Sequence, residues 1–312
     1  MKRALVLLIA IPLIWVLFNI LSGGAVLTAG NMANLFKYLA VTGILATGMT
    51  LVIGAGYIDL SVGSLLGFLG AFNAWLLQAG WPLWASLLTG IALSLLLGCL
   101  TGFLVANLRV PAFIATLSGL MAYMGLKQYI ANPVIPIRDK TLLLLGQGNI
   151  HGFPVCVLAL LLAAAACHFV ATRTRQGRHV FALGSNREAA RYAGIPIRRV
   201  TLFVFAVMGL MSFLAGLTAT SQLMAGAADI GDYQELYAIA ACVLGGASLN
   251  GGTGNVWMSL LGAVLMASIL NGMEQMGISS TVQKMILGLI LTAAVAVDQA
   301  VGARGKGFKG KA

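Results

Sequence analysis

The chain has 312 residues, of which 60% are hydrophobic and only 9% charged. Ordinary soluble domains carry about 25% charged residues, so a soluble globule is excluded. The net charge of +11 does not indicate nucleic-acid binding, because its basic clusters (Lys2-Arg3, Arg173 to Arg199, Arg304 to Lys311) lack interleaved aromatics that could stack on bases.

Apolar runs of about 20 residues, the length that crosses a bilayer core as helix, recur along the whole chain. The first, Ala4 to Leu21, follows Lys2-Arg3 like a signal peptide. It is longer than a usual signal core and ends in no clear small-x-small site, so it reads as a retained span. Further spans are expected at Leu35 to Ile53, Ser61 to Leu77, Leu83 to Ala106 and Pro111 to Ile130. Asn132 to Gly152, with its prolines and mixed charge, reads as a loop outside the membrane. Pro154 to Ala171 and Val200 to Gln222 flank a basic segment, 172–199. After a short acidic loop (Asp229, Asp232, Glu235), Leu236 to Leu244 is too short for a straight crossing and predicts a half-helix. Val256 to Met273 and Val282 to Val297 complete about ten spans in a single domain over 1–312, with a basic tail at 302–312. The fold class is all-α and polytopic, with two Gly-rich interrupted helices. The 39 glycines predict close helix packing, since small residues let helices approach in lipid. Basic clusters mark the cytoplasmic side, and an even count puts both termini there.

The two interruptions show an internal echo. Leu51 to Gly56, a polar break and Leu65 to Ala71 are matched by Cys242 to Ala247, a polar break and Leu260 to Ala263. Paired interrupted helices point to a transport pathway, although chance similarity between Gly-rich apolar stretches gives the same pattern. In the first break, Asp59 or Ser61 can cap the helix that follows. Alternatively Asp59, Ser61 and Ser64 line a wet cavity used by a polyhydroxylated solute, because irregular backbone in a membrane must be buried or line water. Ser248 and Asn250 in the second break carry the same two readings, and Asn271, near the far end of its span, is a further pathway candidate or a simple interfacial polar. Cys99, Cys156, Cys167 and Cys242 fall in apolar runs without metal-ligand spacing, and His151, His168 and His179 are scattered, so no metal site can be argued.

Gly184 to Gly194 is a polar, helix-prone stretch set among arginines. It has the look of a docking element, with Asn186, Glu188, Ala189, Ala190 and Gly194 as the candidate contact and turn residues. A membrane chain that displays such an element is expected to draw its power from another subunit. Gly305 to Ala312 fits G-x-x-x-x-G-K but ends in Ala where Ser or Thr should hold Mg²⁺, and no strand precedes it. No nucleotide site, and no cofactor of this chain's own, is therefore expected.

Gly56-Tyr57-Ile58-Asp59-Leu60-Ser61-Val62-Gly63-Ser64 resembles the G-G-I-D-L-S-V-G-S signature of permease subunits of bacterial ABC sugar importers of the ribose/xylose type. Gly184 to Ile195 is similar to that family's cytoplasmic coupling segment, and Gly245 to Gly252 to its G-G-T-S-L-x-G-G block. The similarity spans Leu35 to Asp298; Ala238 to Cys242 and Met266 to Met273 look most like xylose permeases. Tyr57 departs from the usual Gly, and the loop after the fifth span is shorter than in some relatives. The resemblance implies a multi-pass inner-membrane permease that moves a monosaccharide by alternating access. Its implied partners are ATP-binding subunits that hold ATP and Mg, a periplasmic sugar-binding protein, and a second permease protomer, the same chain or a paralogue. An ion-coupled secondary transporter using Asp59 is the alternative from another class; one intramembrane acid is thin support for a relay. A membrane enzyme would need a nucleophile–base or metal constellation, and none of the usual spacings occurs.

Overall fold

A computed structural model describes residues 2–150 and 152–307. His151 and the last part of the expected basic tail, 308–312, lie outside the described residues. The described chain is nearly all helix: α1 (Lys2–Leu21), α2 (Ala29–Gly54), α3 (Val62–Gln78), α4 (Leu83–Ala106), α5 (Ala112–Ile130), α6 (Lys140–Gln147), α7 (Val155–Arg173), α8 (Arg175–Ser185), α9 (Arg187–Tyr192), α10 (Ile197–Leu223), α11 (Gln234–Leu244), α12 (Val256–Gln275) and α13 (Ser280–Gly307). Two antiparallel pairs of short strands decorate it. In one, β1 (Ile135–Pro136) pairs with β4 (Ala225–Gly226); in the other, β2 (Asn149–Ile150) pairs with β3 (Phe153–Pro154).

Six helices among the described residues are long and apolar enough to cross a bilayer: α1 from Ala4, α2, α4, α7, α10 and α12. The remaining expected spans are helices too, but α3 and α11 are short, and α5 carries Lys127 and Gln128 in its apolar run. Cys156, Cys167 and Cys242 are buried as expected, whereas Cys99 faces outward from α4.

At the centre stands α2, which is buried from Leu39 to Gly54 and packs against α7, α10, α11 and α12. Helices in lipid gain nothing from hiding apolar surface from one another, so close contact depends on small residues and polar ties. A Cβ on Gly102 of α4 would lie 2.9 Å from the Leu202 backbone of α10, and one on Gly70 of α3 would lie 3.0 Å from the Gly216 carbonyl. Thr50 donates to Ser259 at 2.8 Å, tying α2 to α12. Trp15 of the peripheral α1 donates to Ser268 of α12 at 2.7 Å. Many of the helical glycines therefore serve close packing, while others such as Gly80 and Gly194 stand at open turns.

Two reversals shape the interior. After α2 ends at Gly54, residues 55–61 turn back without helix before α3 begins. After α10 ends at Leu223, with Met224 left-handed at φ 59°, residues 225–233 return before α11 begins. The starts of α3 and α11 meet. A Cβ on Gly63 would lie 2.5 Å from the Gly231 carbonyl and 3.2 Å from the Glu235 amide, so only glycine lets the two backbones approach there. The 11 residues of α11 rise roughly 16 Å, about half of a 30 Å hydrocarbon core. The two helix starts thus face each other inside the bundle, and α11 alone is too short to cross the core.

This geometry corrects the reading of an acidic loop in water. Asp229 is exposed, but Glu235 is only 8% exposed, and Asp232 forms an ion pair with the fully buried Lys127 of α5. Lys127 also donates to the Ile230 carbonyl at 3.0 Å.

Candidate functional site: the capped helix and the two breaks

The basic segment is two helices, with Asn186 between them. Its extended backbone (φ −159°, ψ 109°) ends α8, and its side-chain oxygen accepts from the Ala189 amide at 2.9 Å, capping α9. Gly194, at φ 76°, closes the other end. Its amide donates to the Arg191 carbonyl and the Ile195 amide donates to the Ala190 carbonyl, each at 3.0 Å, which is the Schellman arrangement. The six-residue α9 is thereby fixed at both ends. Asn186, Glu188, Ala189 and Gly194 are exposed, while Ala190 is buried and seats the helix on the body. Glu188 stands in the first turn, where the helix dipole favours an acid. Tyr192, 87% exposed, was not among the sequence candidates. An aromatic between Arg191 and Gly194 in a polar stretch was the available signal, since exposed aromatics anchor interfaces.

Beside α9 lies a cavity of about 900 Å³ between the end of α4 and the start of α10. Arg109, Arg187, Arg191, Arg198 and Arg199 line it against the single acid Glu188. Tyr57, the departure from the glycine pattern, forms part of its wall. The Tyr57 hydroxyl lies 3.0 Å from that of Thr201, and its ring packs on Phe205 with centroids 5.8 Å apart, so the first break is braced against α10.

The six pathway candidates fall in three places. Asp59, Ser61 and Ser64 cluster, buried, at the start of α3. One Asp59 oxygen accepts from the Ser61 amide at 2.9 Å and from its hydroxyl at 2.6 Å. Ser61 itself holds the N-cap position of α3 with no side-chain cap bond, so Asp59 organises the turn through Ser61. The turn is further held by Thr116 of α5, which donates to the Ile58 carbonyl at 3.4 Å. Ser248 and Asn250 sit at the other end of α11, in the loop that packs against the end of α8. Ser248 accepts from the Asn250 amide at 3.3 Å, and Asn250 is exposed. Asn271 of α12 forms a reciprocal amide pair with Asn31 of α2, at 2.7 and 2.8 Å. Asn31 is near the start of α2 and the first break follows its end, roughly 35 Å away along the axis. The structure therefore does not bring Asn271 to either break.

The chain matches the family described as branched-chain amino acid transport system / permease component over residues 31–295. It is 36% identical to the xylose transport system permease protein XylH of Escherichia coli (strain K12), over 96% of this chain and 92% of that protein. It is 34% identical to XylH of Haemophilus influenzae, over 94% and 95% of the two chains. With the ribose import permease protein RbsC of Escherichia coli (strain K12) it shares 36% identity, over 87% of this chain and 86% of the other. No solved structure matches. With these relatives and this helical, membrane-spanning architecture, the chain belongs to the branched-chain amino acid transport system / permease component family.

Proposed function

We propose that this chain is the membrane permease subunit of an ATP-binding cassette importer for a monosaccharide, with a pentose such as xylose or ribose as its cargo. The observation that carries the power source is α9, a helix capped at both ends and exposed along its outer residues. Such an element resists deformation when a partner pushes on it. ATP-binding subunits hold ATP and Mg and dock on α9, a periplasmic sugar-binding protein delivers cargo from outside, and a second permease protomer, most simply another copy, completes the bundle. ATP-driven closure of the docked subunits rocks the helices between outward and inward access, and selectivity rests mostly with the binding protein. Glu188→Lys is expected to leave the chain inserted but abolish sugar-stimulated ATP hydrolysis in the assembled complex. Wild-type stimulation in that variant would sink the assignment of α9. Uptake by the isolated chain, driven by an ion gradient without any ATPase, would instead support a secondary transporter.

The proposed orientation puts both termini and α9 in the cytoplasm of a bacterial cell, with the chain multi-pass in the inner membrane. About ten spans are counted as α1 to α5, α7 and α10 to α13, with α3 and α11 completing their crossings through the returning segments. In a background free of native cysteines, Ser185→Cys should be shielded from an impermeant thiol reagent added to intact cells, and Asp229→Cys should react. Asp229 is exposed, whereas the neighbouring Ala227 is buried and would report nothing. Labelling of Ser185→Cys from outside overturns this orientation.

A further inference from the structure

The end of α8, immediately before α9, is wedged between the two breaks at the level of the bare backbone. The Gly252 amide donates to the Gly54 carbonyl at 3.0 Å, which ties the loop between α11 and α12 to the last residue of α2. Gly184 fills the notch beside this bond. A Cβ there would lie 2.5 Å from the Gly252 nitrogen and 3.0 Å from the Ala55 carbonyl carbon, and would also strike the Gly54 oxygen. Gly251, left-handed at φ 85°, is similarly tight: a Cβ on it would lie 2.7 Å from the Gly56 Cα and 2.9 Å from the Gly184 oxygen. These neighbours are main-chain atoms, which cannot rotate out of the way as a side chain can. Below the joint, Phe181 of α8 fills the space that a Cβ on Gly54 would enter, at 2.7 Å, and lies 3.5 Å from one on Gly254.

Three glycine-bearing segments, far apart in sequence, thus share one backbone joint, and Asn186 with α9 begins two residues after Gly184. Backbone packed on backbone has no soft layer in which a displacement can dissipate. We propose that Gly54, Gly184 and Gly252 are positioning residues for transport, forming the joint through which movement of α9 reaches α2 and α11 together. The inference rests on the reading that α9 docks an ATPase. Because α11 runs from this joint to the meeting point of the two helix starts, a shift of α8 displaces the turn around Asp59 and Glu235 as well.

The test uses the whole complex of permease, ATP-binding subunits and sugar-binding protein in liposomes, with sugar taken up per ATP hydrolysed as the readout. Gly184→Ala should still co-purify with the ATPase, and should lower that ratio about tenfold while hydrolysis continues. Phe181→Leu, which keeps the main-chain contacts and removes the ring beneath them, should lower it by a smaller factor. Gly125→Ala, where no atom lies within 4 Å of the added methyl, should leave it unchanged. An assembled Gly184→Ala complex with the wild-type ratio overturns the joint. If Gly184→Ala does not assemble, an unchanged ratio in Phe181→Leu overturns it instead. A wild-type complex that shows no sugar-stimulated hydrolysis overturns the permease reading itself, and the joint with it.

Discussion

Asp232→Ala is expected to destabilise the folded protein by about 3 kcal/mol, because it strands a buried ammonium. Lys127 has no exposed surface, and among the described residues its Nζ hydrogen-bonds Asp232 and the Ile230 carbonyl, with Glu235 a more distant negative charge. Removing one member of a buried ion pair leaves the other uncompensated, and the cost falls on whichever member has no access to water. The Asp232 side chain is 42% exposed, so Lys127→Met should cost clearly less than Asp232→Ala, since the remaining carboxylate hydrates. The double variant Lys127→Met/Asp232→Ala should recover much of the loss. Thermal melting of the purified chain in detergent orders the three. Equal melting of Asp232→Ala and wild type would show that Lys127 finds its stabilisation elsewhere.

The second large effect is expected at Asp59, where two substitutions of similar size should diverge. Asp59→Asn keeps an oxygen that accepts from the Ser61 amide and hydroxyl, so substantial ATP-driven uptake should remain. Asp59→Leu removes that oxygen and leaves a buried amide and hydroxyl unsatisfied, at about 1–3 kcal/mol each, so folding or transport should fail. Uptake is measured with ATP held constant, with and without a protonophore. Loss of uptake in Asp59→Asn while assembly with the ATPase is intact would show that Asp59 exchanges a proton, and would restore the ion-coupled reading.

The helices were largely legible because a span must be long, apolar and uninterrupted. Leu83 to Ala106 was read from the sequence with the bounds α4 has, and Leu236 to Leu244 was recognised as a half-helix. The expected start at Leu35 falls six residues after that of α2, whose first turns hold the polar Asn31, its amide paired with Asn271 of α12. That pairing also explains why Asn271 resembled a pathway residue: hydropathy marks a polar group in a span and is silent on its partner. Gly194 was legible as the turn that ends the proposed docking element, whereas its start was set at Gly184, two residues before the Asn186 cap. Its division into α8 and α9 needed the coordinates. Least legible were the burial of Glu235 and the pairing of Lys127 with Asp232, whose members sit on separate elements 105 residues apart. The convergence of Gly54, Gly184 and Gly252 was hidden for the same reason. Each glycine was visible in a motif, and nothing in the spacing joined them.

The lysine in α5 also bears on how the chain is made. Lys127 stands in the last turn of α5, where a lysine costs less than the about 2.5–3.5 kcal/mol it would at a helix centre, and the carboxylate that neutralises it lies 105 residues later. At a synthesis rate of roughly 5–20 residues per second, that interval lasts about 5–20 s. During it, α5 has no acidic partner from the later segment. Its place in the last turn of α5 lets the Lys127 ammonium reach the interface in that interval, and the ion pair forms once residues 230–235 join the bundle.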